Sequence, residues 1–212
     1  NGSHYNPGTQ SQPSATITDA INLVPKNLGG YTATINIAAG TYPAEIQIEG
    51  FYGGNASNTY GIRLIGESAD TVFLTGGIAC FGCRIPIGFQ TLSVSGNYSG
   101  NTVSARQCFY VFISGLNIDG SAALTDSVYL DQTNGSIFNT QVSNATSAAI
   151  SLNQCIAYMN VISGSNNAVG VLVGSNGNGL PGLAIIGQNT ISATTQYQKV
   201  RGGAIIQNGV LV

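Results

Sequence analysis

Apolar and polar residues alternate in short segments through the middle of the chain, and the segments recur at a regular distance. Alternation with a period of two predicts strands that bury one face. One series is the segments 107–113, 133–139 and 154–160, aligned residue by residue so that Ile113 lies over Asn139 and Asn160. A second passes through the pairs Val128/Leu130, Ile150/Leu152 and Val171/Val173, and a third through Val94, Ile118, Val142 and Ile162.

These three strand series share one repeat length. Each steps by roughly 20–26 residues, which is the spacing of a solenoid whose coils bury their apolar faces on one another. The pattern therefore predicts a single-stranded parallel β-helix, an all-β fold.

The start of the chain predicts a lead-in and a helix. Residues 1–15 are rich in Pro, Ser, Gln and Asn and predict an extended segment. Thr16 and Asp19 have the spacing of a capping box, and Pro25 and the Gly29-Gly30 pair mark an end, so we expect a short helix within 16–28. This helix would cover the open first coil of the β-helix.

The rest of the chain predicts one domain, 16–212, with coils from residue 33 onwards. Early strands are expected at 33–38, 45–49, 61–65 and 71–75, and a last strand at 205–212. Loops or irregular segments are expected at 50–60, 77–90, 174–182 and 193–202. Because the chain closes on an apolar strand that normally needs a neighbour, we expect it to be a piece of a longer polypeptide.

Charge is scarce. Charged residues make up 7% of the chain, against about 25% in average globular domains. Stacked coils favour such a surface, because like charges one rung apart repel whereas uncharged amides form ladders. A net charge of −2 without a basic cluster argues against a nucleic-acid partner. No uninterrupted apolar window approaches the length of a membrane span.

Several segments resemble a known group. Ala20-Ile21 before Pro25, the strand 31–38 that leads to Gly40-Thr41-Tyr42, and the segments 62–66 and 70–76 are similar to the opening of pectin-lyase-like proteins. The resemblance implies a right-handed parallel β-helix with a short N-terminal capping α-helix. Pectinesterases, polysaccharide lyases and phage tail proteins share this fold. The low charge and the Asn-, Ser- and Gly-rich coils are most similar to phage tail fibre and tailspike domains.

Catalytic chemistry has weak support in the sequence. Asp119, Asp126 and Asp131 fall within one coil, where an acid pair would suit polysaccharide hydrolysis, but Asx turns and outward positions account for them too. The pectinesterase and lyase signatures of the family are not found, and Arg106 is interpreted as a surface residue. His4, the single histidine, lies in the lead-in. The sequence therefore favours a role without catalysis.

The four cysteines predict no metal site, and no cofactor is expected. Cys80 and Cys83 have half of a zinc-knuckle pattern, and a disulfide between them is an alternative. Cys108 and Cys155 occupy equivalent positions two coils apart, roughly 9–10 Å by the rung spacing, which is too far for a disulfide. We interpret them as small buried hydrophobic residues with free thiols.

Recognition is the favoured function. Tyr129 and Asp131 point the same way from one strand, opposite Val128 and Leu130, and with Asp119 they form the candidate glycan-binding set. The sequence thus predicts a structural and receptor-binding part of a phage tail fibre, tailspike or baseplate appendage. Its expected partners are a bacterial surface polysaccharide, two further copies in a homotrimer and other tail proteins, in the virion tail or outside the cell. The alternatives are a polysaccharide depolymerase and a secreted bacterial adhesin.

Overall fold

The chain winds into a right-handed parallel β-helix of about 6 turns, as predicted. The computed structural model describes residues 2–54, 61–174 and 182–212. Each coil contributes a strand to three parallel sheets, in which every strand pairs with its counterparts one coil before and after. No helix in these ranges is long and apolar enough to cross a bilayer.

The strands are numbered in chain order and form three sheets along the axis. The first sheet contains β1 (Ala33–Ile37), β4 (Ile62–Gly66), β7 (Pro86–Gln90), β10 (Tyr110–Ser114), the start of β13 (Asn134–Ser143), the start of β15 (Ile156–Gly174), β16 (Leu183–Ile186) and β18 (Ala204–Gln207). The second contains β2 (Gly40–Tyr42), β5 (Val72–Leu74), β8 (Ser93–Val94), β11 (Asn117–Asp119), the end of β13, the middle of β15 and the start of β17 (Asn189–Lys199). The third contains β3 (Ile46–Glu49), β6 (Ile78–Phe81), β9 (Val103–Arg106), β12 (Val128–Asp131), β14 (Ala148–Asn153) and the ends of β15 and β17.

The core is a set of apolar columns along the axis. Within the first sheet, Leu64, Phe89, Ile113 and Ile137 pair in register from coil to coil, and each has 0% exposure. The alternating side chains of the same strands face outwards. Each inward residue is therefore covered by its counterparts above and below, which is how a coil too small for its own core becomes buried.

The helix α1 (Ile17–Asn22) has the predicted cap. The Thr16 hydroxyl accepts from the Asp19 N–H at 3.0 Å, and the Asp19 carboxylate accepts from the Thr16 N–H at 3.1 Å. The helix contacts β1 and β3 and buries Ile17 and Ile21, so it covers the first coil. It is shorter than the predicted 16–28, because Pro25 disfavours helical backbone just before it.

Two of the predicted loops were wrong. The segment 77–90 contains β6 and β7, and most of 193–202 belongs to β17. Glycine and proline suggested breaks, but Pro86 opens its strand, where a missing N–H is tolerated. The predicted extended lead-in also folds back on itself, with a parallel bridge between Ser3 and Ser14. The predicted loops 50–60 and 174–182 lie partly outside the described residues.

The last predicted strand, 205–212, is a hairpin. β18 turns at Asn208 and Gly209, which have φ of 49° and 81°, and β19 (Val210–Leu211) pairs with it antiparallel. Two consecutive positive φ values define the turn that joins such tight hairpins, and Asn-Gly is its preferred sequence.

Left-handed residues mark the corners of the coils. Thr91, Gly115, Asn139 and Val161 form one column between the first and second sheets, with φ from 47° to 65°. Because these residues turn corners, the polar Asn139 is not part of the strand ladder. The predicted alignment of Ile113 with Asn139 was therefore wrong by two residues, and Ile113 pairs with Ile137. Likewise Ile162 pairs with Thr140 and not with Val142, whereas the second predicted series and the pairing of Val94, Ile118 and Val142 are confirmed.

Val161 offers a test of this corner column. A β-branched residue at a φ of 55° is strained, since its Cβ crowds the backbone by about 1–2 kcal/mol. We expect Val161→Asn, which copies the residue one coil before it, to raise the free energy of unfolding by about 1 kcal/mol in urea titrations. Val210→Asn, at an exposed position without a positive φ, is the matched control and should bring no gain. An equal effect of the two substitutions would contradict the strain.

Candidate functional site

The outer face of the third sheet carries the two residues expected to touch a sugar. Tyr129 and Asp131 alternate along β12 with Val128 and Leu130, which have 0% exposure. Both side chains are partly exposed. Tyr129 and Asp131 therefore point in the same direction from the strand, as predicted.

Arg106 belongs to the same face. It pairs with Asp131 across β9 and β12, and its guanidinium carbon lies 5.1 Å from the centre of the Tyr129 ring. This is cation–π distance. The buried Nε of Arg106 finds no hydrogen-bond partner among the described residues. Because Arg106 as a whole is partly exposed, its guanidinium still offers donors to a ligand.

Asn153 completes the row on the other side of Asp131. It pairs with Asp131 across β12 and β14, and its amide Nδ2 donates to the Asp131 carboxylate. The residue has 5% exposure, and its Oδ1 has no partner within the described part of the chain. An unsatisfied buried amide oxygen costs free energy, so a buried water that donates to it would be favoured.

Phe81 supplies an open aromatic ring. It pairs with Arg106 across β6 and β9 and has 45% exposure. One coil earlier, Glu49 occupies the same column and accepts from the Gln47 side chain at 3.0 Å. We call Phe81, Arg106, Tyr129, Asp131 and Asn153 the outer strip.

The outer strip has the chemistry of carbohydrate recognition. The Phe81 ring can stack on the C–H face of a sugar, while the partly exposed Arg106 guanidinium and Asp131 carboxylate offer donors and an acceptor to hydroxyl groups. It lacks an acid pair. The coils next to Asp131 present Arg106 and Asn153, and Glu49 is three rungs away, about 14 Å at the spacing of parallel strands. Paired acids of glycosidases lie about 5–9.5 Å apart.

Asp119 is not brought to the outer strip. It ends β11 in the second sheet and caps a 3₁₀ turn at Gly120–Ala122, where its carboxylate accepts from the Ser121 N–H at 3.0 Å and from the Asn144 amide at 3.1 Å. Burial alone would raise the pKa of Asp119, but these hydrogen bonds outweigh it and hold the pKa below its usual value. The carboxylate stabilises the corner.

Asp126 is likewise occupied by its neighbours. Its carboxylate accepts from the Ser147 hydroxyl at 2.9 Å and from the Ala148 N–H at 3.1 Å, and the residue has 9% exposure. Of the three carboxylates in this coil, Asp131 is the one on the outer strip.

Sequence reasoning missed Phe81 and Asn153, although a signal was present. The third sheet ends in each coil with an inward residue, an outward residue, a left-handed residue and a buried one. This four-residue pattern recurs as 48–51, 80–83, 105–108, 130–133 and 152–155. Cys80-Phe81-Gly82-Cys83 is therefore one copy of a structural repeat, which explains its spacing without a metal.

Comparisons with known proteins identify the fold. The sequence matches no protein-family model, and no curated protein is similar enough to count as a relative. Pectin methylesterase PemA from Erwinia chrysanthemi superposes with a TM-score of 0.54 at 11% identity, over 96% of this chain and 88% of that one. The Yersinia enterocolitica pectin methylesterase gives 0.52 at 8% identity, over 93% and 92%.

A third solved structure is a pectin methylesterase in complex with a hexasaccharide. It superposes with a TM-score of 0.53 at 11% identity, over 100% of this chain and 90% of that one. The chain therefore has the fold of the pectin-lyase-like right-handed β-helix proteins. At these identities the likeness defines architecture and carries no catalytic residue across.

The Asp119 cap predicts a pH-dependent loss of stability. Asp119→Ala should lower the free energy of unfolding by about 1 kcal/mol at neutral pH, the usual contribution of such a cap. Because the folded-state pKa is lowered, the ionised carboxylate stabilises above its unfolded pKa, and the contribution is lost as pH falls through the folded pKa. Urea titrations should therefore show a smaller difference between variant and parent at about pH 3 than at neutral pH. Asp70→Ala, on an exposed turn, is the control, and a difference for Asp119→Ala that does not change with pH would refute the role of the charge.

Proposed function

We propose that this chain is a carbohydrate-recognition β-helix that binds a bacterial surface polysaccharide through the outer strip. The observation that carries the proposal is the row of accessible groups on one face. Arg106, Tyr129 and Asp131 are partly exposed and the Phe81 ring is open in the same row. The C–H face of one sugar can cover the ring, while hydroxyl groups along the polymer accept from the guanidinium and donate to the carboxylate.

The fold supports this proposal in a general way. One of the similar solved structures is a pectin methylesterase in complex with a hexasaccharide. A row along the axis of a β-helix suits a linear polymer, because the rungs repeat at about 4.8 Å and successive sugars can meet successive coils. Weak single contacts then add up along the polymer.

Within this function we propose a place in a phage tail fibre, tailspike or baseplate appendage, in the virion tail or otherwise outside the cell. The low charge and the Asn- and Ser-rich coils support it through their resemblance to such domains. Binding there would involve no covalent step. A bacterial adhesin with the same strip would differ by its attachment to a cell.

The binding test uses the purified chain and a panel of capsule and cell-wall polysaccharides. Phe81→Ala and Arg106→Ala should each raise the dissociation constant at least about tenfold, a loss of about 1.4 kcal/mol of binding free energy, because each removes a group that faces the sugar. Phe73→Ala is the matched control, since Phe73 is an aromatic residue of similar exposure on the second sheet.

The same assay separates the alternatives. Reducing ends are measured alongside binding. Binding without reducing-end release, lost in the two strip variants and kept in the control, supports the proposal. Release of reducing ends would show that the chain is a depolymerase instead. Equal binding by all variants would show that the outer strip does not bind the polysaccharide.

We further propose that the chain forms a homotrimer through the outer face of the first sheet. This face carries more large apolar side chains than the other two, among them Phe112, Phe138, Ile156, Tyr158 and Ile185. Phe112 and Phe138 pack with ring centres 5.8 Å apart, and Ile156 and Tyr158 have 42% and 48% exposure. Contiguous exposed apolar surface of this kind typically marks an interface with another protein surface.

Sedimentation velocity tests the trimer. The parent chain should sediment as a trimer, and the double variant Phe112→Ser, Tyr158→Ser should shift it to the monomer because it breaks the apolar face. Phe73→Ser on the second sheet should leave the trimer intact. A parent chain that is monomeric at every concentration measured would reject this proposal without touching the binding one.

A further inference from the structure

Cys83 and Cys108 occupy the same column in adjacent coils, which the sequence did not reveal. Each follows a left-handed residue, Gly82 and Gln107, at φ of 61° and 54°. Phe81 pairs with Arg106 two residues earlier, and the Cys83 carbonyl accepts from the Phe109 N–H at 2.7 Å. Their Cα atoms are thus one rung apart, about 4.8 Å, within the range of about 4.4–6.8 Å that disulfides span.

The two thiols are in contact. A hydrogen bond with the other thiol acts on the pKa of each, and Cys108 and Cys83 have 5% and 1% exposure. The Cys108 sulfur also lies 3.4 Å from the Arg106 carbonyl oxygen. All four cysteines of the chain are reduced and buried. Cys155 is two coils beyond Cys108, and Thr133 stands between them with its hydroxyl accepting from the Cys108 N–H at 3.0 Å. Thr133 therefore ends the run of adjacent cysteines.

The surroundings of Cys83 favour its thiolate. The largest effect is the hydrogen bond from Cys108, and the N–H groups of Phe51 and Gly50 and the positive charge of Lys26 add to it, so the pKa of Cys83 falls to about 7. Burial raises the pKa of Cys80, and it raises that of Cys155 to about 12. Since the thiolate is the nucleophile, Cys83 is the reactive member of the four.

We propose that Cys83 and Cys108 are a redox pair that closes to a disulfide between the second and third coils when a small hydroperoxide enters. The Cys83 thiolate attacks the terminal peroxide oxygen, the O–O bond breaks and the leaving oxygen takes a proton, which gives a sulfenic acid at Cys83. The Cys108 thiol then attacks that sulfur, the S–O bond breaks and water leaves with the thiol proton. Two thiols lose two electrons in all, and one hydroperoxide is reduced.

The consequence is a covalent link where two coils are otherwise held by hydrogen bonds and packing. A cross-link between neighbouring coils restricts the unfolded chain. The oxidised protein should therefore unfold at higher urea concentration than the reduced one. Cys80 is less suited to this role, because it faces inwards from β6 and lies three residues from Cys83 on the same coil.

The test treats the folded full chain with hydrogen peroxide and maps its cysteines by mass spectrometry. Parent and Cys155→Ser chains should lose two hydrogens and yield a Cys83–Cys108 cross-linked peptide, with a raised urea midpoint that a thiol reductant reverses. In Cys108→Ser the reaction should stop at a sulfenic acid on Cys83 that dimedone traps. In Cys83→Ser no cross-link should form, and circular dichroism checks that each variant is folded.

Two results would overturn the pair. One is a cross-link mapped to Cys80 and Cys83, and the other is four free thiols in the parent chain after peroxide treatment that oxidises an unfolded sample. If Cys83→Ser does not fold, the Cys108→Ser variant tests the mechanism by itself. A dimedone-trapped sulfenic acid on Cys83 in that variant supports the mechanism, and its absence rejects it.

Discussion

Register between coils is the constraint on which this structure depends. Each strand pairs with its counterparts above and below over three sheets, so residues at equivalent corner positions lie about 4.8 Å apart. Gln107, Gln132 and Gln154 show how the chain uses this repetition. All three adopt left-handed backbone at one corner, and their amides donate in sequence, Gln107 to Gln132 at 3.5 Å and Gln132 to Gln154 at 2.9 Å. A ladder of uncharged groups tolerates stacking that carboxylates or ammonium groups would not.

The sequence predicted the class of fold because buried strands leave a strong periodic signal. Val128, Ile150 and Val171 align from coil to coil as expected. It failed where one residue per corner adopts a positive φ, since such a residue shifts the register without changing hydrophobicity. Ile113 was therefore aligned with Asn139, which turns a corner, and not with Ile137.

The candidate site could be predicted only in part, for a related reason. Tyr129 and Asp131 alternate with apolar residues on one strand, and local alternation is enough to set their direction. Arg106 and Asn153 reach the same place through pairing between coils, which depends on register. Asp119 shares the coil of Asp131 but lies on another sheet, because a corner separates them. Proximity along the chain was therefore a poor guide to proximity on the surface.

The neutral amide ladder has a consequence for the conditions in which the rod keeps its shape. Attraction between opposite charges on a surface weakens as dissolved ions screen it, and carboxylate contacts change when protons bind. The three glutamines carry no charge, so the hydrogen bonds between Gln107, Gln132 and Gln154 are independent of both. Along this corner, changes in salt concentration or pH therefore leave the hydrogen bonds between stacked coils unchanged.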